Sequence, residues 1–296
     1  MLEKLLNIGR KVIPRRIFQA AQPIYHFGLA SLANVIYRFP GRKIRVIGVT
    51  GTNGKSTTSN LIVSILETAG YKVGLSSTTN FQIGDEKWDN EIDKTTGGRF
   101  QTIKLLRQMV RAKCDYAVIE VSSHSISQFR IWGIPFDVAV LTNVTHDHLD
   151  YHKTFENYVA TKERLFQKAT RPWRKKLKKL TVNNQQKARK ERVKKYIILN
   201  HDDPLYGRFN KHRADLNISY STKNKRASLL AKNIEINEEG VHFDVVSFKG
   251  PFSLSLRLTG LFNVYNALAA AAVGFSQDVD LKTIKTGLEK VEKVSG

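Results

Sequence analysis

Gly48-Val49-Thr50-Gly51-Thr52-Asn53-Gly54-Lys55-Ser56-Thr57 is the stretch on which the reading of this chain turns. It follows a short apolar run, Ile44–Val49, expected to be a strand, and it opens Ser56–Ala69, expected to be a helix ending at Gly70. A strand, a glycine-rich turn and a helix are the context a phosphate-binding loop requires. The glycines let backbone amides turn inward around phosphate oxygens, and the free amides of the helix start add an electropositive end. On this reading Gly51, Thr52, Asn53, Gly54 and Thr57 belong to the phosphate cradle. Lys55 reaches the outer phosphates, and the Ser56 hydroxyl ligates Mg²⁺. One detail departs from the strict pattern: Val49 stands five residues before Gly54, with glycines at 48 and 51 instead. The competing reading is a glycine-rich turn with no ligand.

Outward from this loop, apolar strands alternate with helical stretches. Lys72–Ser77, Tyr116–Val121, Val138–Thr142 and Tyr196–Leu199 read as strands, and Arg99–Ala112 and Phe155–Gln167 as helices. That order predicts an α/β fold, a mostly parallel sheet with helices on both faces. Phe81–Trp88, with Gly84-Asp85 inside it, suggests a hairpin. Residues 227–258 alternate through Val241, Phe243 and Val245, then Phe252, Leu254, Leu256 and Leu258, which predicts a small antiparallel part. A small-residue helix around Asn263–Val273 and a last helix to about Val291 close the chain. Residues 1–40 read as helical, broken at Pro23 and punctuated by Pro40-Gly41.

The net charge of +22 on 296 residues raises the question of a nucleic-acid partner. The charge is not spread evenly. Residues 1–45 hold nine Lys/Arg against one acid, and residues 171–195 hold twelve against one, so the rest is nearly neutral. The stretch 171–195 reads as a solvated helical insertion, with contact to an anionic lipid surface or to RNA as functional alternatives. Trp173 is its only aromatic residue, and no RNP-like motif accompanies it, which argues against nucleic acid. No apolar run approaches the ~20 residues of a membrane-spanning helix, and the first residues lack a secretory pattern. The single cysteine, Cys114, excludes an intrachain disulfide and suits a reducing cytoplasm; it reads as a small buried residue at a strand start.

Ligands of an open α/β sheet sit beyond the carboxyl ends of its strands. Two polar clusters fall there. Glu120-Val121-Ser122-Ser123-His124 ends one predicted strand, and its carboxylate would meet a metal held by Ser56. Asn143-Val144-Thr145-His146-Asp147-His148-Leu149-Asp150-Tyr151-His152 ends another, and four of the eight histidines lie between 124 and 152. His148 and His152 have the spacing of one helix face, so zinc is conceivable, but no cysteine is near and no His-Glu-x-x-His occurs.

Gly-Thr-Asn-Gly-Lys-Ser-Thr (51–57), Glu-Val-Ser-Ser-His (120–124), Thr-Asn-Val-Thr-His-Asp-His-Leu-Asp-Tyr-His (142–152) and Leu-Thr-Gly-Leu-Phe-Asn-Val-Tyr-Asn-Ala-Leu-Ala-Ala (258–270) stand in the order seen in Mur ligases. The chain therefore resembles that family, most closely its tripeptide-synthetase (MurE-type) branch. The resemblance implies an ATP-dependent ligase of peptidoglycan precursor synthesis: ATP phosphorylates a carboxylate of a UDP-muramoyl-peptide, an amino acid's amine attacks the acyl phosphate, and phosphate leaves. It also implies residue roles. Lys55 holds phosphates, Ser56 and Glu120 hold one Mg²⁺, and His148 binds a second. Lys162, which by itself reads as an ordinary helix-surface lysine, matches a lysine these enzymes carbamylate. Thr95, Thr96, Ser122, Gln128 and Arg130 match positions facing the muramoyl-peptide, and Asn266 matches the asparagine that reads adenine. Asn200-His201-Asp202-Asp203 resembles a family turn with a structural role.

The same resemblance sets an expected domain order: residues 1–42 a basic helical extension, and residues 43–296 the central ATP-binding domain with a basic insertion at 171–195. The uridine-nucleotide domain and the C-terminal ligase domain of full-length members are absent from this sequence, so the chain is expected to be a fragment or to need a partner. Other readings stay open: a different ligase of the superfamily, such as a polyglutamate-adding one, or a basic nucleic-acid-binding ATPase.

Overall fold

Strand β1 (Arg45–Thr50) is buried along its whole length and lies inside the sheet with a strand paired on each side. A computed structural model describes residues 15–90, 98–147, 149–180 and 187–293. Before β1 runs helix α1 (Arg15–Ile36); after it come α2 (Lys55–Thr68), β2 (Val73–Ser76), the hairpin β3 (Asn80–Ile83) and β4 (Glu86–Asp89), and α3 (Arg99–Arg111). The chain continues through β5 (Tyr116–Glu120), the short α4 (Ser123–Ser127), β6 (Val138–Leu141), α5 (Leu149–His152) and α6 (Phe155–Ala169). A ribbon of β7 (Lys176–Lys179) and β8 (Lys187–Arg192) leads to β9 (Tyr196–Asn200), α7 (Tyr206–Phe209) and β10 (Leu216–Ser221). The meander β11 (Leu229–Asn237), β12 (Gly240–Ser247) and β13 (Gly250–Leu256) precedes α8 (Leu261–Ser276) and α9 (Leu281–Glu289).

The main sheet has eleven strands in the order β13-β12-β11-β10-β9-β6-β1-β5-β2-β3-β4. From β11 across to β2 every neighbouring pair is parallel, and the antiparallel pairs lie at the two edges. The predicted antiparallel part is thus an edge of the same sheet. Strands buried on both faces are free of polar alternation, which is why β1, β5 and β6 were legible as apolar runs. One face is covered by α2, α8 and α9, whose Leu61, Ile65, Leu268 and Ile284 share a core. The other is covered by α3 and α6, with Leu106, Met109, Leu165 and Phe166. Phe136 takes the space over Gly48, where an added Cβ would meet its ring at 2.7 Å.

Two expectations need correction. Helix α1 does not break at Pro23 but runs through it; Pro23 is exposed, so water can replace the hydrogen bond the ring forgoes. Among the described residues of 171–195 there is no helix; they form the two-stranded ribbon β7–β8 instead. Its burial alternates with period two: Lys175 and Val193 are buried while Lys176, Arg192 and Lys194 are exposed. Because two of the inward positions, Lys175 and Lys195, are themselves lysines, hydrophobic pattern hid the period. Lys175 is neutralised inside by Asp137, Nζ to Oδ2 at 2.5 Å. Strand β10, half polar through Asn217, Ser219 and Ser221, carried no readable signal. Cys114 is buried just ahead of β5, as expected.

Candidate functional site

Parallel pairing sets Val49 beside Glu120 and Thr50 beside Leu141, so β1, β5 and β6 deliver their carboxyl ends to one place. The segments beyond them are tied together. Thr50 Oγ1 donates to Val121 O at 2.8 Å, and Thr142 N donates to Thr50 O at 2.9 Å. Thr142 Oγ1 donates to Asn53 O at 2.7 Å, and Thr52 N donates to Asn143 O at 2.8 Å. A Cβ on Gly51 would fall 1.8 Å from Thr142 Oγ1, so the loop and the segment after β6 touch at a glycine. Gly54 caps α2 with φ +78°, a conformation glycine adopts without steric cost.

At the start of α2, Lys55 Nζ donates to Thr52 O at 2.7 Å across the loop. Burial lowers its pKa, opposed by the charges of Glu120 and Asp147. Glu120 is buried yet well supplied with donors. Ser56 Oγ donates to its Oε2 at 2.9 Å, Thr78 N to Oε2 at 2.8 Å and Thr78 Oγ1 to Oε1 at 2.8 Å. A buried carboxylate beside a serine hydroxyl, at the helix end of a phosphate-type loop, is an oxygen donor set that suits Mg²⁺. Among the described residues no three His, Cys, Asp or Glu side chains gather as a metal cluster. His146 stacks on Phe155 with centroids 4.3 Å apart, and His124 lies 4.2 Å from the Tyr151 ring. His148, and with it the second-metal expectation and the conceivable zinc pair, lies outside the described residues, as do Thr95 and Thr96.

Lys162 is the clearest departure from the residue-level reading. It lies on the inner face of α6 in line with Tyr158, Leu165 and Ala169, and it is 1% exposed. Its Nζ donates to Gly51 O at 2.7 Å and sits 4.5 Å from the centroid of the Tyr158 ring. Burial, with the nearby Lys55 charge, pushes its pKa well below the ordinary lysine value, and Asp147 opposes the shift. Hydrophobic pattern cannot distinguish a lysine on the inward stripe from one on the outward stripe of an amphipathic helix when the two meet at its edge.

Asn266, on α8, stands behind the loop: its Oδ1 accepts from Thr58 Oγ1 at 3.2 Å and its Nδ2 donates to Asn263 Oδ1 at 3.0 Å. Thr57 occupies the first turn of α2. Ser122 caps α4, accepting from Ser125 N at 3.1 Å. Gln128 Oε1 accepts from Arg130 Nη2 at 2.7 Å, and Gln128 O accepts from Arg99 Nε at 2.9 Å. Arg99 and Arg130 are both lowered in pKa by burial, and their charges, after burial, hold His26 of α1 down at about 4. Ser122, Gln128 and Arg130 thus lie along one segment leaving β5.

Several contributors carried no motif of their own. Thr78 holds Glu120 from the carboxyl end of β2, a position that strand order by itself would point to. Tyr158 OH meets Thr52 Oγ1 at 3.1 Å, and Asn143 Oδ1 accepts from Asn53 N at 3.0 Å. The Asn200–Asp203 turn braces the site from outside: Asp203 Oδ2 accepts from Val144 N at 2.7 Å, Asn200 Nδ2 donates to Thr142 O at 3.1 Å, and Asp202 accepts from Tyr265 OH at 2.9 Å.

Residues 49–274 match the family described as Mur ligase middle domain. The chain is 36% identical over 294 residues to a UDP-N-acetylmuramoyl-L-alanyl-D-glutamate–2,6-diaminopimelate ligase of Bacillus velezensis, covering 99% of this chain and 55% of that protein. It is 37% identical over 279 residues to a UDP-N-acetylmuramyl-tripeptide synthetase of Roseiflexus sp., covering 93% of this chain and 52% of that one. The chain therefore spans about half the length of these curated relatives. Among solved structures, a UDP-N-acetylmuramoyl-L-alanyl-D-glutamate–2,6-diaminopimelate ligase superposes with a TM-score of 0.70 at 28% identity, over 86% of this chain and 47% of that one. The fold is also that of a MurF ligase from Thermotoga maritima in complex with ADP, with a TM-score of 0.64 at 17% identity, over 92% of this chain and 53% of that one. In sequence and in fold, the chain belongs to the Mur ligase family.

Proposed function

We propose that this chain binds ATP with Mg²⁺ on the 51–57 loop and serves an ATP-dependent ligase that joins an amino acid to a UDP-muramoyl-peptide. The observation that carries this reading is the Ser56–Glu120 pair, a hydroxyl and a buried carboxylate 2.9 Å apart at the start of α2. In the reaction a substrate carboxylate oxygen attacks the γ-phosphorus of ATP, releasing ADP. The incoming amine then attacks the acyl carbon, loses a proton and expels phosphate, leaving the amide. Bound Mg²⁺ would supply charge neutralisation between phosphate oxygens, held by Ser56 and Glu120. Lys55 would add a further positive charge, and the amides of Gly51 to Gly54 would orient the phosphates. Thr78 keeps the Glu120 carboxylate in place. Lys162, on this reading, is the site of carbamylation. Its buried amine, whose pKa burial lowers, adds through its nitrogen lone pair to CO₂; from ammonium to carbamate two protons leave in all, so a cation becomes an anion beside the loop.

The tripeptide-synthetase branch is supported by the 120–124 and 147–152 motifs and by the names of the two curated relatives. The half-buried Arg99 and Arg130 guanidiniums offer charge to the carboxylates of a muramoyl-peptide, together with Ser122, Gln128 and the 95–96 pair. On this reading residues 43–296 are the ATP-binding unit of a cytoplasmic enzyme. Among the described residues no helix is long and apolar enough to cross a membrane.

Titration calorimetry with Mg²⁺ and ATP tests the nucleotide reading. The unaltered chain is expected to bind, and Lys55→Ala to bind about ten- to a hundredfold more weakly, the worth of a hydrogen bond to a charged group. Glu120→Gln should still bind ATP but lose most of the dependence on Mg²⁺. No binding by the unaltered chain at millimolar ATP would overturn the reading.

A further inference from the structure

The amino ends of β1 and β6, opposite the phosphate loop, carry a second and different polar region. A cavity of about 360 Å³ opens there between the turn after α1, the segment entering β6 and the end of α6. Phe39, Trp132 and Trp173 wall it, Arg42, Lys168 and Arg171 supply charge, and among the described residues no carboxylate lines it. The Arg42 guanidinium lies 4.4 Å from the Phe39 ring centroid and 5.7 Å from that of Trp173, and Lys168 Nζ lies 4.9 Å from that of Trp132. Burial, with the charge of Arg171, brings the Lys168 pKa down to about 8. Such crowding of cations costs stability and is relieved when an anion enters.

The ribbon β7–β8 springs from the rim of this cavity, leaving after Trp173 and returning to Lys195. Its register sets Lys176 opposite Arg192 and Lys178 opposite Lys190. All four are exposed. Like charges directly opposite weaken a ladder, and a two-stranded ribbon is marginal to begin with. The inner face explains why the ribbon holds: Arg45 Nη2 donates to Lys178 O at 2.9 Å and meets Glu191 at 3.4 Å. Nothing about folding requires the outer face to be basic.

We propose that Trp173, the cavity beside it and the outer face of β7–β8 form a docking surface for an anionic phospholipid bilayer, with Arg42, Lys168 and Arg171 receiving a lipid phosphate. Three features favour a bilayer over a nucleic acid. Trp173 is a half-exposed indole set among cations, the composition of an interfacial anchor. Ile134 and Pro135 add apolar lining to the cavity, which suits the glycerol end of a lipid. The exposed face of the ribbon carries lysines and arginine without the repeated aromatics on which successive bases stack. Docking here leaves the phosphate loop clear, since it lies at the other end of the strands.

Vesicle sedimentation of the full chain tests this. Vesicles of phosphatidylcholine with one-third phosphatidylglycerol should bind it, pure phosphatidylcholine should not, and the binding should fall as salt is raised. Each basic residue near an anionic surface is worth about fivefold in partitioning, so K176E/K190E should weaken binding at least tenfold. W173A should weaken it too, while both variants keep the melting temperature and nucleotide affinity of the unaltered chain. Equal binding to neutral vesicles, or binding that ignores K176E/K190E and W173A, would overturn the proposal. So would tight binding of an oligouridine that the same lysine reversals abolish while vesicles stay unbound.

Discussion

Asn266 Oδ1 stands 2.3 Å from the point that a Cβ on Gly54 would occupy, so α8 meets the phosphate loop with no room for a side chain between them. The two residues belong to distant stretches of sequence, and each constrains the other. Gly54→Ala would place a methyl against Asn266 in a left-handed backbone conformation, itself worth about 1–2 kcal/mol of strain. The expected outcome is a loss of at least that much stability in urea denaturation and a loss of ATP binding by calorimetry. Unchanged stability with unchanged binding would show that α8 yields easily.

Lys162 gives a pH signature. Its folded pKa lies well below the ordinary 10.5, through burial first and the Lys55 charge second. Between the folded value and 10.5 the unfolded chain binds a proton that the folded chain does not, so stability rises with pH across that window. Below the window both states are protonated and the folded chain carries the whole cost of a buried cation. Lys162→Met removes this term. The variant should be the more stable one near neutrality, and its advantage should shrink as pH is raised toward 10.5, by up to about 1.4 kcal/mol per unit. Parallel stability profiles for the two proteins would contradict the burial. Labelled bicarbonate offers a second readout, because a carbamate ¹³C signal should appear in the unaltered chain and be missing from the variant.

Asp137 and Lys175 form a buried ion pair, 4% and 1% exposed, that joins β6 to the root of the basic ribbon. Burial raises the Asp137 pKa and lowers that of Lys175, so each group depends on the other to stay ionised. Asp137→Ala leaves a buried cation and should cost about 3–5 kcal/mol, whereas replacing both partners with apolar residues should cost far less. Chemical denaturation of the single and double variants decides this; equal losses in both would mean that packing, not charge, holds the ribbon.

The glycine-rich loop and its place in the fold were legible because its residues are contiguous. A glycine-rich loop between an apolar strand and a helix is a local pattern, and Lys55, Ser56 and Glu120 sit where strand ends must converge in a parallel sheet. The α/β class followed from the same cause, since strands buried on both faces must be continuously apolar. The histidine-rich stretch and the 95–96 pair were legible only as motifs, and His148, Thr95 and Thr96 lie outside the described residues.

Other features depend on contacts between segments far apart in the chain, which no local pattern encodes. Thr78 became a holder of Glu120 only when β2 paired beside β5. Lys162 turned from a surface lysine into a buried amine because α6 lies against the loop, where Gly51 O accepts a hydrogen bond from its Nζ. The basic stretch became a ribbon because Asp137 supplied the counter-charge that lets Lys175 be buried, while Arg45, paired with Glu191, donates to Lys178 O. Sequence by itself determined the class of fold and the place of the glycine-rich loop between strand and helix, through hydrophobic period and glycine. Tertiary structure decided which charged side chains lie inside, because burial of a charge is settled by partners that arrive from elsewhere in the chain.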